Sequence, residues 1–243
     1  VGMFPKTNAS PIHLGRFSRC HGVIDAIYNP LRSELVLEAR ARGIKASGGL
    51  YMLVAQAAKA AALFLDDDSL LSKIEDVYQT IRKSKENIVL IGMPGCGKTT
   101  VGKLLQQRMQ RDLFDSDDVI VDCTQKDIPT IFKEDGEEVF RRHESSAIRW
   151  LADKTGCIIA TGGGAVLKEE NISALRKNGT LIFLDRPLSE LLPTDDRPLS
   201  SDRQMLEKRY HERMPIYRAC ADMIIRGNTA EDSANTIAGE WEK

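Results

Sequence analysis

With 243 residues and a net charge of -1, the chain is long enough for one large domain or two small ones and is not broadly attracted to nucleic acid or an anionic membrane. Hydrophobic residues make up 42% of it, and the absence of a long apolar run or a signal peptide predicts a soluble globular protein. Five scattered cysteines without a CxxC pair predict reduced thiols in a cytoplasmic protein rather than disulfides or a zinc site.

The first 86 residues contain few predicted elements. The chain begins at Val1 rather than Met, so we expect a fragment or a processed product. Strands are predicted in the first few residues and over 23–28, and helices over 33–42 and 50–65. A polar stretch with an amphipathic stripe follows. We therefore predict a first domain over 1–65, a helical linker over 66–86 and a second domain over 87–243.

Strands and helices alternate from Asn87 onward. Such alternation predicts an α/β fold, a parallel sheet of about five strands with helices on both faces. The predicted strands cover 87–91, 113–115, 157–160, 180–184 and 223–225, and the predicted helices cover 98–109, 128–134, 137–153, 171–177, 205–213 and 230–241.

A glycine-rich segment lies between the first strand and the first helix of this region. It reads GMPGCGKT over residues 92–99 and fits the Walker A pattern GxxxxGK[ST]. Backbone N–H groups of such a loop surround phosphate oxygens, and the helix N-terminus adds partial positive charge. We predict that Lys98 reaches the terminal phosphates and that the Thr99 hydroxyl holds Mg²⁺. The predicted nucleotide contacts are Gly95, Cys96, Gly97, Lys98, Thr99 and Thr100.

Two aspartates follow the second predicted strand, in the sequence FDSD. Ligands of open parallel sheets bind beyond the carboxyl ends of the strands, so Asp115 and Asp117 could divide two tasks. One could lie near the water shell of Mg²⁺, and the other could orient and deprotonate an attacking hydroxyl. The alternative is a polar loop with a helix cap at Asp117 or Asp118. The Walker A segment upstream favours the functional interpretation.

Glycines and arginines supply further candidates for binding an anion. The three glycines at 162–164 follow a strand and would let a ligand approach the backbone closely. Arg141 lies in a predicted helix, Arg197 in a loop rich in Pro and Asp, and Arg213 near a helix end. A planar guanidinium suits a carboxylate or a transferring phosphate, although most arginines are solvated surface residues. Sequence spacing alone does not bring these arginines together.

The segment 87–243 resembles shikimate kinase over nearly its whole length. The resemblance depends on GMPGCGKTT, FDSD, DGEEVFRRHE, ATGGGAV, DRPL and ERMPIYR in this order. Other small-molecule P-loop kinases share the first motif but not the set. The resemblance implies a P-loop NTPase fold and Mg²⁺-dependent transfer of phosphate from ATP to the 3-hydroxyl of shikimate, in aromatic amino-acid biosynthesis.

The resemblance also implies roles for the acidic and aromatic residues. Asp117 resembles the family's ligand of the reacting hydroxyl and proposed base, and Asp115 resembles the acid near the metal. Phe132 and Phe140 resemble apolar walls of the substrate pocket, with a core role equally open.

Basic residues and glycines complete the implied site. Arg141 and Arg213 resemble the pair that grips the shikimate carboxylate, and Gly163 and Gly164 resemble its backbone contacts. Arg197 resembles the lid arginine that closes over the phosphates and acts in catalysis with Lys98 and Asp117.

One departure from the family pattern concerns the adenine side. Members usually carry an arginine shortly before the lid, whereas residues 190–196 read ELLPTDD and contain none. This departure is the only support for one other hypothesis, a catalytically silent nucleotide-binding module. A P-loop kinase for another small alcohol is a separate alternative, which a different pocket around Asp117, Arg141 and Arg213 would reveal.

The N-terminal segment resembles the C-terminal part of shikimate dehydrogenase, over about residues 1–64. The resemblance depends on VGMFP, NASP, YNPL and GLYMLVAQA. It implies a small α/β remnant of a Rossmann-like domain, with Tyr28 and Gln56 near shikimate and residues 49–53 near the nicotinamide. The family's catalytic Lys–Asp pair and glycine-rich dinucleotide loop do not occur here, so we expect no hydride transfer. Both resemblances together imply part of a fused pathway protein, whose remainder is the expected partner.

Overall fold

The computed structural model describes residues 1–191 and 203–242. Contacts divide the chain into two compact units, residues 1–86 with 176–178 and residues 87–175 with 179–243. No helix in the described residues is long and apolar enough to cross a membrane. All five cysteines are free thiols, and burial raises the pKa of Cys157 to about 11.

The first unit contains a parallel β-α-β arrangement. Strand β1 (Gly22–Ile24) pairs in parallel with β2 (Lys45–Ser47), and α1 (Glu34–Ala41) connects them. Ser33 is the N-cap of α1, and its side chain accepts the N–H of Val36 and satisfies a donor of the first turn. The helices α2 and α3 that follow span Leu50–Leu65 and Ile74–Lys85.

Two strand predictions in this unit are wrong. The first few residues form turns rather than a strand, and the strand predicted over 23–28 ends at Ile24. The chain leaves the strand because Asp25 Oδ1 accepts the N–H of Ile27, a local bond that competes with sheet pairing. Strand β2 was missed because three residues with a single apolar member, Ala46, show no strand periodicity.

The second unit contains the predicted parallel sheet. Its five strands are ordered β4-β5-β3-β6-β7, and every neighbouring pair is parallel. The central strand is apolar because both of its faces are covered, and the side chains of Ile88 to Ile91 are completely buried. The strands are β3 (Asn87–Ile91), β4 (Leu113–Asp115), β5 (Ile158–Ala160), β6 (Gly179–Leu184) and β7 (Met223–Ile225).

Seven α-helices are described in this unit; five agree with prediction to within two residues at each end, and two differ further. Helix α5 is absent from the predicted elements, because nine residues with mixed polarity give a weak periodic signal, and its cap is Asp115 rather than the alternative Asp117 or Asp118. Helix α9 was expected to end at Arg213, before Pro215, but it continues to Cys220. Burial of Met214 and Tyr217 outweighs the hydrogen bond that proline removes. The helices are α4 (Lys98–Met109), α5 (Ser116–Thr124), α6 (Ile128–Glu134), α7 (Gly136–Ala152), α8 (Glu169–Arg176), α9 (Arg203–Cys220) and α10 (Ala230–Glu242).

Candidate active site

The Walker A segment forms a loop between the central strand β3 and helix α4. Gly92, Gly95 and Gly97 have φ values of 149°, 78° and 92°, in the region that side-chain-bearing residues avoid. Lys98 is 7% exposed, and its Nζ donates to the carbonyl oxygens of Gly92 and Met93, each at 2.9 Å. The loop thus holds the lysine ammonium beside the N-terminus of α4, where partial positive charge favours an anion.

The FDSD segment lies next to this loop. The Thr99 hydroxyl donates to Asp115 Oδ2 at 2.8 Å, and Asp115 Oδ1 accepts the N–H of Asp117 at 3.0 Å. Asp115 is thus both a helix cap of α5 and the partner of the Walker A threonine. The residue types in contact here, a hydroxyl and a carboxylate, are hard oxygen donors that suit Mg²⁺.

The three glycines form a tight turn that reaches both sides of the site. Gly162 donates its N–H to Ser116 Oγ at 2.8 Å. A Cβ on Gly162 would lie 2.9 Å from Asp117 Oδ1 and 3.0 Å from Glu144 Oε1, and one on Gly163 would lie 2.7 Å from Cδ of Pro94. Glycine is required because the turn packs against the Walker A loop and against carboxylates.

The two predicted carboxylate-binding arginines both contact this turn. Arg213 is 8% exposed and donates from Nη1 to the Gly163 carbonyl at 3.1 Å. The Arg141 guanidinium lies against Gly164, where a Cβ would collide with it. The structure therefore brings together Arg141 and Arg213, which sequence spacing could not join. Arg197 lies outside the described residues.

Glu144 is a buried acid of the site that the sequence reasoning missed. It accepts Arg141 Nη1 at 2.8 Å, while Glu137 accepts Arg141 Nη2 at 3.0 Å. The pKa of Glu144 is raised above its usual value. Burial is the largest cause and the charge of Asp117 adds to it, while Arg141 and Arg213 act in the opposite direction. Glu144 lies three residues after Arg141 on α7, a spacing that predicts an ion pair on a helix and could have identified it.

Arg209 is a second residue that the sequence reasoning missed. It lies one helical turn before Arg213 on α9, so the two side chains share a helix face. The pKa of Arg209 is lowered. Burial is the largest cause, the charges of Arg213 and Arg141 add to it, and Glu137 acts in the opposite direction. The guanidinium groups of Arg141, Arg209 and Arg213 thus lie close enough to influence one another, and such groups suit an anion.

Phe132 and Phe140 pack together, with ring centroids 4.5 Å apart. They belong to a small core with Ile120 and Ile131 between α5, α6 and α7. Phe140 also lies under the Arg141 guanidinium, 5.3 Å from its Cζ. The observed contacts favour the core role and add support for the arginine.

Residues 94–240 match the family model of shikimate kinase. The chain belongs to the shikimate kinase family. The shikimate kinase of Clostridium beijerinckii is 46% identical over 148 residues, which cover 59% of this chain and 87% of that protein. The shikimate kinase of Chromobacterium violaceum is 40% identical over 166 residues, covering 65% and 89%.

Solved shikimate kinases have the same fold. The enzyme of Acinetobacter baumannii, in complex with shikimate, superimposes with a TM-score of 0.63 at 33% identity. That match covers 67% of this chain and 96% of the other. The enzyme of Aquifex aeolicus gives a TM-score of 0.57 at 31% identity, covering 64% and 96%. The P-loop fold predicted for the second unit is thereby confirmed.

We expect Gly164→Ala to weaken shikimate binding in this shikimate kinase. The added methyl would displace the Arg141 guanidinium, and the loss of a charged hydrogen bond should raise the KM for shikimate roughly 10–100-fold while leaving the KM for ATP unchanged. Gly239→Ala is the matched control, because a Cβ there meets no atom within 4 Å. Steady-state kinetics with each substrate varied would measure both effects. An unaltered shikimate KM in Gly164→Ala would contradict the placement of Arg141.

Proposed function

We propose that this chain transfers the terminal phosphate of ATP to the 3-hydroxyl of shikimate, giving shikimate 3-phosphate and ADP. The observation that carries the proposal is the junction at the glycine turn. The turn contacts Pro94 of the phosphate loop on one side and Arg141 and Arg213 on the other. A carboxylate-bearing alcohol held by the arginines would therefore lie next to a phosphate donor in the loop.

The phosphate side of the site consists of the Walker A residues. In this proposal the ATP phosphates bind against the backbone of Gly95, Cys96 and Gly97, beside Lys98 and Thr100 at the start of α4. Lys98 would leave its two carbonyl partners and place its charge on the terminal phosphates. Arg197, in the segment preceding α9, would complete the neutralisation of the transferring group.

Thr99 and Asp115 are the residues that would hold Mg²⁺. Their oxygens lie 2.8 Å apart, and Mg²⁺ commonly takes one or two protein oxygens together with water and phosphate oxygens. The metal would neutralise charge on the phosphates during transfer. Asp115 would also keep its bond to the N–H of Asp117, so that the acid near the metal orients the segment carrying the base.

The acceptor side places a hydroxyl near Asp117. Arg141 and Arg213 would bind the substrate carboxylate, and the Gly163 and Gly164 N–H groups would hold the ring from the turn. Asp117 would accept the proton of the 3-hydroxyl while the hydroxyl oxygen bonds to the terminal phosphorus of ATP and ADP leaves. Burial of Glu144 against Arg141 supports this arrangement, because it fixes the guanidinium before the substrate arrives.

We propose further that residues 1–65 are the remnant of a dehydrogenase domain within a fused cytoplasmic pathway protein. The parallel pairing of β1 and β2 across α1 supports a Rossmann-like origin, since parallel strands joined by a helix are the unit of that fold. This unit has no proposed catalytic role. Residues 66–86, which include α3, would be the linker.

A coupled ADP-release assay tests both proposals. With ATP and Mg²⁺, we expect ADP release only when shikimate is added, and none when the metal is chelated. With NADP⁺ in place of ATP, the same preparation should reduce no cofactor in the presence of shikimate. ADP release independent of shikimate would favour another acceptor, no release would favour a silent nucleotide-binding module, and NADP⁺ reduction would contradict the remnant proposal.

A further inference from the structure

Tyr217 is a buried polar residue that the mechanism above does not use. It lies on α9, one helical turn after Arg213, and is 1% exposed. Its ring stacks on Phe183 at the end of β6, with centroids 5.1 Å apart and planes 11° apart. Its hydroxyl donates to the Gly163 carbonyl at 2.5 Å. Burial raises the pKa of Tyr217, so it remains a neutral donor.

The carbonyl that Tyr217 contacts belongs to the turn between the phosphate loop and the arginines. Gly163 O accepts two donors, the Tyr217 hydroxyl and Arg213 Nη1. Ser116 Oγ holds the preceding residue by accepting the Gly162 N–H. Three side chains from two helices, α5 and α9, thus restrain a run of glycines, which has no side chains of its own to limit its dihedral angles.

Holding the Gly163 carbonyl also sets the direction of the next N–H group. Carbonyl and N–H of one trans peptide point in opposite directions in a rigid plane. Because the Gly163 oxygen points toward Tyr217 and Arg213, the Gly164 N–H points the opposite way. In the described part of the chain, the N–H groups of Gly163 and Gly164 donate to no protein acceptor. Rotation of the Gly163–Gly164 peptide would therefore move the Gly164 N–H, a donor that is available to a ligand.

We propose that Tyr217 is a positioning residue for the acceptor side of the site, one that fixes the Gly163–Gly164 peptide so that its N–H meets the bound substrate. This role rests on the proposed function, since the ligand of that N–H is the acceptor alcohol. Because Tyr217 donates to the Gly163 carbonyl as well, Arg213 is not the only residue that holds it. The guanidinium can then direct its other donors to the substrate carboxylate.

The test compares Tyr217→Phe with Tyr210→Phe. The first variant removes only the hydroxyl and keeps the ring stacked on Phe183, so the fold is retained. The second makes the same change on the same helix, where Tyr210 packs edge-on against His211 at 5.8 Å. We expect the KM for shikimate to rise about fivefold in Tyr217→Phe, with the KM for ATP within about twofold of wild type. Tyr210→Phe should match wild type in both.

Amide hydrogen exchange of Gly162, Ala165 and Leu167 supplies a readout that does not depend on turnover, because these N–H groups donate to Ser116 Oγ and to the Gly162 and Gly164 carbonyls of the turn. Exchange should accelerate in Tyr217→Phe and remain unchanged in Tyr210→Phe. Unchanged exchange and unchanged shikimate KM would overturn the positioning role, as would an equal loss for both substrates, which indicates general destabilisation. A wild-type protein without shikimate-dependent turnover would overturn the proposed function, and the substrate role of Tyr217 with it, even if exchange responds as expected.

Discussion

Lys98→Ala is expected to lower kcat by on the order of 10³-fold or more, while the protein stays folded. Lys98 supplies the only ammonium group of the Walker A loop, and its Nζ already lies 2.9 Å from two loop carbonyls. Phosphoryl transfer depends almost entirely on positioning and on neutralising charge, so removal of this cation removes interactions that strengthen in the transition state. ADP release under saturating substrates would measure the loss.

Lys103→Ala is the matched control for this prediction. Lys103 lies on the same helix, α4, but is exposed, so its removal should leave kcat within about twofold of wild type. Circular dichroism of both variants would establish that the fold survives. If Lys98→Ala retained near-normal turnover, the Walker A assignment of the lysine would be wrong.

Asp117→Asn is expected to lower kcat by about 10²–10⁴-fold, the usual contribution of a positioned general base. Asparagine has nearly the same shape, and its backbone N–H would still donate to Asp115 Oδ1, so the start of α5 is preserved. What is lost is the carboxylate that would accept the hydroxyl proton. The KM for ATP should change little, because no nucleotide contact is proposed for this residue.

Asp118→Asn is the control for the loss of one negative charge. Asp118 is the next residue on α5 and is exposed, and partial desolvation together with the charges of Asp115 and Asp117 raises its pKa. Activity of this variant should stay near wild type. A rise in the shikimate KM of Asp117→Asn with an unchanged kcat would show that Asp117 binds the hydroxyl without removing its proton.

The phosphate loop and the sheet could be predicted because their signals are local. Residues 92–99 carry a complete motif between a strand and a helix, and the strand Asn87–Ile91 is apolar at four of its five positions, as burial on both faces requires. Helix α9 could not be predicted in full, because Pro215 signals an end that burial of Tyr217 overrides. Because the predicted helix ends at Arg213, Tyr217, one turn further on, was not recognised as part of the same helix.

The sequence by itself determined the fold class, the P-loop and the identity of the candidate groups Lys98, Asp115, Asp117, Arg141 and Arg213. Only the tertiary structure decided which of these groups meet. Arg141 and Arg213 are 72 residues apart in the sequence and lie on different helices, so no local sequence pattern links them. Both arginines contact the glycine turn after β5: Arg213 donates to the Gly163 carbonyl, and the Arg141 guanidinium lies against Gly164. Such contacts depend on the tertiary packing of α7 and α9, both of which contact the segment that follows the glycine turn, and periodicity and motif spacing do not encode that packing.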